Sequence, residues 1–205
     1  MASTLREPVP APVRDIPAPE SAEAMHQTAV FAGGCFWGVQ SVFQRVKGVM
    51  HTTVGYSGGA ADTANYRAVC AEDTGHAEAI EIVFDAAIVS YGTLLRVFFS
   101  VVHDPTQFNR QGADIGTSYR SAIFYTDEQQ REVATEYVKQ LDAAHIFNKP
   151  IVTQIVPLET FYGGEDYHQD YALKNPHNPY IQVCDIPKIA LLGNQFPELF
   201  QEYTR

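Results

Sequence analysis

The stretch TAVFAGGCFWGVQSVFQRVKG, residues 28–48, changes its hydrophobic pattern at a pair of glycines. A short apolar run followed by the glycine pair 33–34 is typical of a buried strand closed by a tight turn. Beyond the glycines, apolar residues recur at helical spacing: Val39, Val42, Phe43 and Val46. This spacing predicts an amphipathic helix that begins at Cys35 or Phe36 and ends at Gly48. The stretch thus predicts a strand, a turn and a helix in direct succession.

Secondary-structure signals in the rest of the chain alternate between strands and helices. Runs rich in β-branched and aromatic residues predict four more strands, at 50–56, 78–84, 119–125 and 151–156. Ser90 stands where an N-cap is expected before one helix, and Thr126 with Gln129 forms a capping box before another. The order β-α-β-β-α-β-α-β predicts an α/β (α+β) sandwich, an open sheet with helices packed on it. We expect a single catalytic domain at 27–205 that ends in a C-terminal extension.

The composition of the 205-residue chain favours a soluble globular protein. Hydrophobic residues make up 45% of the chain and charged residues 19%, which suffices for an apolar core. Twenty-four acidic residues against fourteen Lys and Arg give a net charge of −10. Nucleic acid and membranes are therefore not expected as partners. No apolar run approaches the roughly 20 residues of a membrane span.

The first 26 residues differ in composition from the rest of the chain. Five of the twelve prolines fall within the first twenty residues, and the segment contains no Phe, Trp or Tyr. A proline-rich segment without large apolar side chains favours extended conformations and buries little surface. We therefore expect residues 1–26 to form a flexible, loosely packed arm, with an inert extension favoured over a docking role.

The cysteines indicate a reducing environment. Cys35, Cys70 and Cys184 form an odd set without a CxxC pair, and the histidines show no HxxxH spacing. This pattern fits neither a disulfide-rich secreted scaffold nor a zinc site, so we expect no metal. The N-terminus also lacks the apolar segment of a signal peptide, which favours a cytoplasmic location. For Cys70 we expect the role of a small core residue.

Cys35 stands at the predicted junction of strand and helix, within the string GGCFWG. The free amides of a first helical turn and the helix dipole stabilise a thiolate, so we expect a thiol pKa lowered towards neutrality. Phe36 and Trp37 would form an apolar wall beside the sulfur. A buried structural cysteine packed against two core aromatics is the alternative that this string leaves open.

Several separated strings make the sequence resemble one family, the A type of peptide methionine sulfoxide reductase. They occur in the order of that family: GGCFWG (33–38), VGYSGG (54–59), NYRAVC (65–70), GHAEAIEIVFD (75–85), HDPTQ (103–107), GTSYRSAIFY (116–125) and EDYHQDY (165–171). The resemblance covers about residues 28–180, and so many strings in register are not expected by chance. It implies a sandwich related to the ferredoxin-like plait. It also implies reduction of the S epimer of methionine sulfoxide, free or in oxidised proteins, without metal, flavin or other cofactor.

The resemblance implies roles for individual residues. Cys35 would be the nucleophile and Glu78 the acid, while Tyr66 and Tyr119 would bind the sulfoxide oxygen through their hydroxyls. A sulfoxide oxygen is a poor leaving group until it is protonated, which is why an acid and hydrogen-bond donors are needed. Further positions match the substrate pocket and its surroundings: Phe36, Trp37, Asp114, His168, Tyr171 and Tyr180.

The sequence pattern supports some of these residues independently. Glu78 shares the parity of the apolar residues of its strand, so its carboxyl group should be buried and its pKa raised. Tyr119 shares the parity of its predicted strand, whereas Tyr66 falls in a polar loop and depends on the resemblance. His168 and Tyr171 lie three residues apart on a predicted helix face, which fits a shared hydrogen-bond network and equally an ordinary surface.

The C-terminal part departs from the family pattern. A sulfenic acid on Cys35 must be reduced again, and many members of that family use a cysteine directly after a Gly-Tyr pair in a glycine-rich tail. Here Tyr180 matches the tyrosine, but Cys184 follows four residues later in the string IQVC, which is typical of a packed strand. Cys184 is the resolving candidate, and direct reduction by an external thiol is the alternative. Thioredoxin or another thiol reductant is the implied partner.

Two other classes of function remain open. A cysteine hydrolase or acyltransferase would pair Cys35 with a histidine base such as His76 or His103. A non-enzymatic module could bind peptides through an aromatic pocket and an acidic face. Production of methionine from its sulfoxide separates the reductase from both.

Overall fold

The computed structural model describes residues 7–21 and 25–203 of the chain. Two parts of the predicted arm, 1–6 and 22–24, lie outside the described residues. The strands are β1 (His26–Gly33), β2 (Val49–Ser57), β3 (Ala77–Asp85), β4 (Arg110–Gln111), β5 (Asp114–Ile115), β6 (Ser121–Tyr125), β7 (Gln154–Pro157) and β8 (Phe161–Gly163). The α-helices are α1 (Phe36–Phe43), α2 (Tyr66–Val69), α3 (Tyr91–Val97), α4 (Glu128–Ala143), α5 (Tyr171–Lys174) and α6 (Ile186–Gln195). Two wider, π-helical turns occur at Phe98–Val102 and Ile181–Asp185.

One sheet organises the molecule, with the strand order β7-β6-β1-β3-β2-β8. The central strands β6, β1, β3 and β2 pair antiparallel with one another. Strand β7 pairs parallel with β6 at one edge of the sheet. Helix α1 connects β1 to β2, and α3 lies on the connection from β3 to β6. This connectivity and strand order are those of a ferredoxin-like plait. The predicted α/β sandwich with an open sheet is therefore confirmed.

Residues of β1 alternate between the two faces of the sheet. Ala29 and Phe31 belong to the large core beneath the helices, whereas Val30 and Ala32 belong to a smaller cluster on the opposite face. The Phe31 ring lies 4.9 Å from the ring of Phe98, centroid to centroid. Period-two alternation of apolar residues thus buries both faces of this strand, as expected for the centre of a sheet.

The predicted elements are largely present, with shifted ends. The strands predicted at 50–56 and 78–84 lie within β2 and β3. Helix α1 ends at Phe43 rather than Gly48, because the chain leaves the helix in turns before the glycine. The strand predicted at 151–156 begins only at Gln154.

Helix capping followed the prediction at one helix and not at another. The Ser90 side chain accepts a hydrogen bond from the Thr93 N–H at the start of α3, which confirms the predicted N-cap. At α4 the cap is Asp127, not Thr126. The Asp127 carboxylate accepts from the Gln130 N–H at 2.9 Å. An ionised carboxylate is favoured at a helix N-terminus, so the cap moves one residue along the chain.

The described part of the N-terminal arm, 7–21, packs against α3 and α4. Val9 is 1% exposed, and its N–H donates to the Ser100 hydroxyl at 3.0 Å. The Asp15 carboxylate accepts from the Gly92 N–H at 2.7 Å, at the start of α3. The prediction of a loosely packed arm is therefore wrong for these residues. One apolar anchor and satisfied backbone groups order a segment whose composition alone favours disorder.

Two further features bear on function. Among the residues that the structure describes, no helix is long and apolar enough to cross a membrane. Within the same residues, no group of three or more His, Cys, Asp and Glu side chains could hold a metal ion.

Candidate active site

Cys35 is the N-cap residue of α1 and directly follows the turn at Gly34. Gly34 has a φ of +89°, and a Cβ at this position would lie 2.7 Å from Gln111, so the turn requires glycine. The Cys35 side chain is 8% exposed. The nearby Trp37 N–H lowers the pKa of this thiol. The predicted strand, turn and helix are confirmed, and they place the thiol at the free N-terminus of α1.

Glu78 lies near the start of β3, on the face of the sheet that the helices cover. Its side chain is 3% exposed, and its Oε2 accepts a hydrogen bond from the Phe36 N–H at 3.0 Å. The Cys35 thiol lies close to this carboxyl group and lowers its pKa. Burial raises the pKa of Glu78 to about 8, although the bond from Phe36 acts against it. At pH 7 most of the Glu78 population therefore carries a proton beside the sulfur, and the predicted inward orientation is confirmed.

The pKa of the Cys35 thiol differs from the prediction. Burial raises it well above its ordinary value, and the carboxyl groups of Glu78 and Asp185 raise it further. The nearby Trp37 N–H and Tyr180 hydroxyl lower it without outweighing burial. The expected shift towards neutrality is wrong, because α1 places the sulfur in an apolar, acid-lined pocket rather than in water. Without substrate, the sulfur is held as a thiol at neutral pH.

Three tyrosines from separate segments contact the cluster around Cys35. Tyr66 begins α2, Tyr119 ends the turn Thr117–Tyr119, and Tyr180 immediately precedes the turn Ile181–Asp185. Burial raises the pKa of all three hydroxyls, so they remain hydrogen-bond donors at neutral pH. The structure corrects two predictions: Tyr119 precedes β6 instead of belonging to it, and Tyr66 lies in a short helix rather than a loop.

Trp37 is the centre of an aromatic group at the mouth of the site. Its ring stacks on Tyr171 at a centroid distance of 3.8 Å and meets the edge of Tyr180 at 5.9 Å. Its indole N–H donates to His168 Nδ1 at 3.1 Å. His168 and Tyr171 do not share a helix face, since Asp170 between them has a φ of +56° and breaks the helical path. They are instead joined through Trp37.

Asp114 reaches the site through Tyr180. The Tyr180 hydroxyl donates to Asp114 Oδ2 at 2.5 Å and also lies close to the Cys35 thiol. The short bond fixes the orientation of the phenol ring relative to the sulfur. Asp114, which lies in β5, therefore orients a hydroxyl beside the nucleophile.

Glu165 is a site residue that the sequence reasoning missed. Its carboxylate accepts from the Tyr56 hydroxyl at 2.7 Å and from the Tyr66 N–H at 2.8 Å. Tyr56 pairs with Glu78 across β2 and β3, so Glu165 braces two aromatic residues next to the candidate acid. The only signal was its position in the string EDYHQDY, because carboxylates on irregular loops leave no periodic pattern.

Residues 27–198 match the family model described as peptide methionine sulfoxide reductase. This chain belongs to that family. A peptide methionine sulfoxide reductase, MsrA 2, from Mesorhizobium japonicum is 52% identical to it over 183 residues, which cover 89% of this chain and 94% of the relative. The MsrA reductase from Chromobacterium violaceum is 48% identical over 175 residues, 85% of this chain and 99% of that one.

Solved structures of the reductase family share the fold. Mxr1 from Saccharomyces cerevisiae in reduced form superimposes with a TM-score of 0.68 at 30% identity, covering 78% of this chain and 91% of its own. Methionine sulfoxide reductase A of Corynebacterium diphtheriae gives a TM-score of 0.64 at 35% identity, covering 85% of this chain and 90% of its own. The ferredoxin-like sandwich of this chain is thus the fold of known reductases.

The second cysteine expected in this reductase, Cys184, lies in the helical turn Ile181–Asp185 and is partly exposed. The prediction of a packed strand for IQVC is wrong. Ile181 and Asp185, four residues apart, are buried while Val183 is 72% exposed, which is a helical rather than a strand pattern. Burial raises the pKa of the Cys184 thiol.

The prediction for Cys70 is also wrong: this residue is exposed at the end of α2 rather than buried in the core.

The two histidines considered as bases for a hydrolase have structural partners elsewhere. His76 Nδ1 accepts from the Gly59 N–H at 3.2 Å, and its Nε2 lies 2.9 Å from the Ala60 carbonyl oxygen. His103 is fully buried against Phe98, and burial lowers its pKa to about 3. The titratable group beside the reductase thiol is therefore an acid, Glu78, and not an imidazole.

Proposed function

We propose that this protein reduces the S epimer of methionine sulfoxide, free or in oxidised proteins, with Cys35 as nucleophile and Glu78 as acid. The observation that carries the proposal is the proximity of a buried thiol and a buried, protonated carboxyl group at the N-terminus of α1. A hydrolase requires a base beside its cysteine, whereas a sulfoxide requires a proton for its oxygen. The pair found here supplies that proton.

The surroundings of Cys35 offer a separate place for each part of a sulfoxide. The aromatic faces of Phe36 and Trp37 provide an apolar contact for the methyl group. The hydroxyls of Tyr66 and Tyr119 face the same cluster and can donate to the oxygen. Hydrogen-bond donors already in place for a developing charge cost little reorganisation during the reaction.

The first step is an oxygen transfer. Sγ of Cys35 bonds to the sulfoxide sulfur while the Glu78 carboxyl group protonates the oxygen, and the thiol proton goes to Glu78. The substrate S–O bond and the transient S–S bond then break as the hydroxyl group moves to Sγ, so the sulfoxide is reduced to a thioether and the thiol is oxidised to a sulfenic acid. Because Cys35 and Glu78 both hold protons in the empty site, the step needs no base from solvent.

The second step returns Cys35 to a thiol. A thiol attacks the sulfenic acid, a disulfide forms and water leaves; a dithiol reductant then cleaves the disulfide. We propose Cys184 as the attacking thiol and thioredoxin as the dithiol. Cys184 follows Tyr180 by one helical turn, and the Tyr180 hydroxyl lies close to the Cys35 thiol. The turn Ile181–Asp185 must unwind for the two sulfurs to meet, and direct attack by an external thiol is the alternative.

We also propose the extent of the catalytic domain and the compartment of the enzyme. The catalytic domain is proposed to span 27–205, in accord with the family match over 27–198. Its free thiols and its need for a thiol reductant favour a reducing compartment such as the cytoplasm.

The test is an incubation of the protein with dithiothreitol and either epimer of dabsyl-labelled methionine sulfoxide. We expect dabsyl-methionine from the S epimer only. One turnover without reductant should yield about one methionine per protein and a modified Cys35 in the peptide mass spectrum. Cys70→Ser removes an exposed thiol but keeps a polar group near the Tyr66 hydroxyl, so it should behave like the wild type. Absence of product, or equal product from both epimers, would contradict the proposal.

A further inference from the structure

Glu72 combines an unfavourable backbone with an unusually well-bonded side chain. Its φ is +64°, a left-handed conformation that residues other than glycine rarely adopt. Its carboxylate accepts from the Ser118 N–H at 2.8 Å, from the Ser118 hydroxyl at 2.5 Å and from the Thr117 hydroxyl at 3.2 Å. Ser118 is buried. The strained conformation is thus retained where the side chain makes three hydrogen bonds to a distant segment.

These bonds join the segments that hold the two candidate oxygen-binding tyrosines. Glu72 follows α2, which begins at Tyr66, and its bonds end on the turn Thr117–Tyr119. A Cβ at Gly116 would lie 2.2 Å from the carboxyl carbon of Glu72, so the backbone of this turn rests directly on the carboxylate. The contact therefore ties the α2 segment to the turn just before Tyr119.

We propose that Glu72 is a positioning residue that fixes the Tyr119 hydroxyl relative to that of Tyr66, and so shapes the pocket for the sulfoxide oxygen. The inference rests on the proposed function and deepens it. Donors that stabilise a developing charge must be held to within about 0.5 Å, and a displacement of about 1 Å can cost two orders of magnitude in rate. Glu72 acts through the tyrosines and takes no part in proton transfer.

The principal test is Glu72→Gly. Glycine adopts a positive φ without strain, so this variant removes the three hydrogen bonds and relieves the backbone. We expect kcat for sulfoxide reduction to fall about ten-fold while KM changes by about two-fold or less, because the tyrosines act on charge that develops in the transition state. The rate of Cys35 alkylation by iodoacetamide should remain that of the wild type. An unchanged kcat, or a loss of kcat with an equal loss of alkylation rate, would overturn the inference.

We call the three hydrogen bonds of the Glu72 carboxylate the clamp. Two further variants separate its effect on kcat from effects on folding and on charge. Glu72→Gln removes the charge but can keep the hydrogen bonds, because its amide oxygen can accept from the Ser118 N–H and its amide nitrogen can donate to the Ser118 hydroxyl oxygen, so kcat should stay within about two-fold of the wild type. Asp73→Asn removes the same charge from the exposed neighbouring position and should retain the wild-type kcat. An equal loss of kcat in Asp73→Asn would show that net charge, and not the clamp, is responsible.

A double-mutant cycle with Tyr119→Phe completes the test. If Glu72 acts through Tyr119, Glu72→Gly should change kcat by about two-fold or less once the hydroxyl is gone. A ten-fold loss in both backgrounds would overturn the inference. If Tyr119→Phe lowers kcat and Glu72→Gly does not, the clamp alone fails. If Tyr119→Phe leaves kcat unchanged, the proposed oxygen-binding role of Tyr119 fails, and the inference fails with it.

Discussion

Cys35 and Cys184 both lie on helical segments near Tyr180, but their surroundings are opposite in kind. Cys35 follows a turn that only glycine fits, is buried, and lies close to Trp37, Glu78 and Tyr180. Cys184 is partly exposed in a π-helical turn, a conformation common at functional sites. The contacts around Cys35 keep its sulfur in one position, whereas partial exposure leaves the Cys184 sulfur room to move. If the proposed roles hold, the comparison teaches that attack on the substrate relies on a fixed geometry, whereas recovery of the thiol relies on movement.

The acidic neighbours of the two cysteines show the same contrast. The Glu78 carboxyl group accepts a hydrogen bond from the Phe36 N–H and lies close to the Cys35 thiol. Asp185, directly after Cys184, is fully buried, and neither of its carboxylate oxygens has a hydrogen-bond partner among the described residues. Burial raises the pKa of Asp185 to about 6. The Glu78 carboxyl group thus has a hydrogen-bond partner, whereas burial of the Asp185 carboxyl group without one costs free energy.

The largest expected effect is that of Cys35→Ser. A hydroxyl is nearly isosteric with a thiol but far less nucleophilic, so reductase activity should be abolished while the melting temperature changes little. Activity is measured as methionine released from the S sulfoxide, and folding by circular dichroism. Activity close to that of the wild type would refute Cys35 as nucleophile and remove the basis of the comparison.

Glu78→Gln should slow the first step about one hundred-fold without abolishing it. The amide can still donate a hydrogen bond to the oxygen but cannot deliver a proton. Because the pKa of Glu78 is raised to about 8, the wild-type single-turnover rate should fall as pH rises through that value. The glutamine variant should lack this fall. An identical single-turnover rate in both proteins would exclude Glu78 as the acid.

The same variant should alter stability in a direction fixed by linkage. Folding raises the pKa of Glu78 from 4.5 to about 8, so the folded state holds a proton that the unfolded state loses. Its stabilising contribution is complete below pH 4.5 and is lost as pH rises through the window to 8. Thermal melting should therefore show a shallower pH dependence for Glu78→Gln across that window. Parallel curves for the two proteins would show that Glu78 is not buried.

Cys184→Ser tests the mobile side of the comparison. If Cys184 resolves the sulfenic acid, multiple turnover with thioredoxin should fall several-fold while the first turnover is unchanged. Wild-type protein after one turnover should contain a Cys35–Cys184 disulfide, seen as the loss of about two hydrogens in mass. Cys70→Ser serves as the matched control. Equal rates with thioredoxin for wild type and Cys184→Ser would show that an external thiol acts on Cys35 directly.

The smallest expected effect is that of Asp185→Asn. Since folding raises the pKa of Asp185 from 3.8 to about 6, its stabilising contribution is lost as pH rises through that window. The variant should melt slightly higher than the wild type at pH 7 and equally below pH 3.8. Asp185 also raises the pKa of Cys35, so alkylation of Cys35 should become faster. A lower melting temperature at pH 7 would show that the carboxylate stabilises the Cys184 turn.

Periodicity made the centre of the molecule predictable. The change from a strand pattern to a helical one across Gly34 predicted the position of Cys35 at the start of a helix. The alternation of apolar residues in its strand predicted that the Glu78 side chain is buried beneath the helices. These are local patterns that a buried sheet and an amphipathic helix impose directly on the sequence. Thus the sheet, the position of the candidate nucleophile and the burial of its candidate acid could be predicted from the sequence.

What could not be predicted depends on contacts between distant segments. The thiol pKa of Cys35 is raised in part by Asp185, which only the folded chain brings close. Glu72 and Glu165 accept hydrogen bonds from other loops, and such carboxylates have no periodic spacing. IQVC has strand-like composition, but packing of the turn against α1 made it helical. Local pattern therefore defines the elements, and tertiary contacts define the electrostatics.

The docked N-terminal segment has a consequence for where the folding unit begins. The match to the reductase family model starts at residue 27, yet Val9 lies in the core and the Asp15 carboxylate accepts a hydrogen bond from the Gly92 N–H at the start of α3. A chain shortened to the matched region would leave an apolar hollow open to water and would deprive Ser100 and Gly92 of their partners. The family model and the folding unit of this protein therefore begin at different residues, and truncation at residue 27 would remove contacts that stabilise the start of α3.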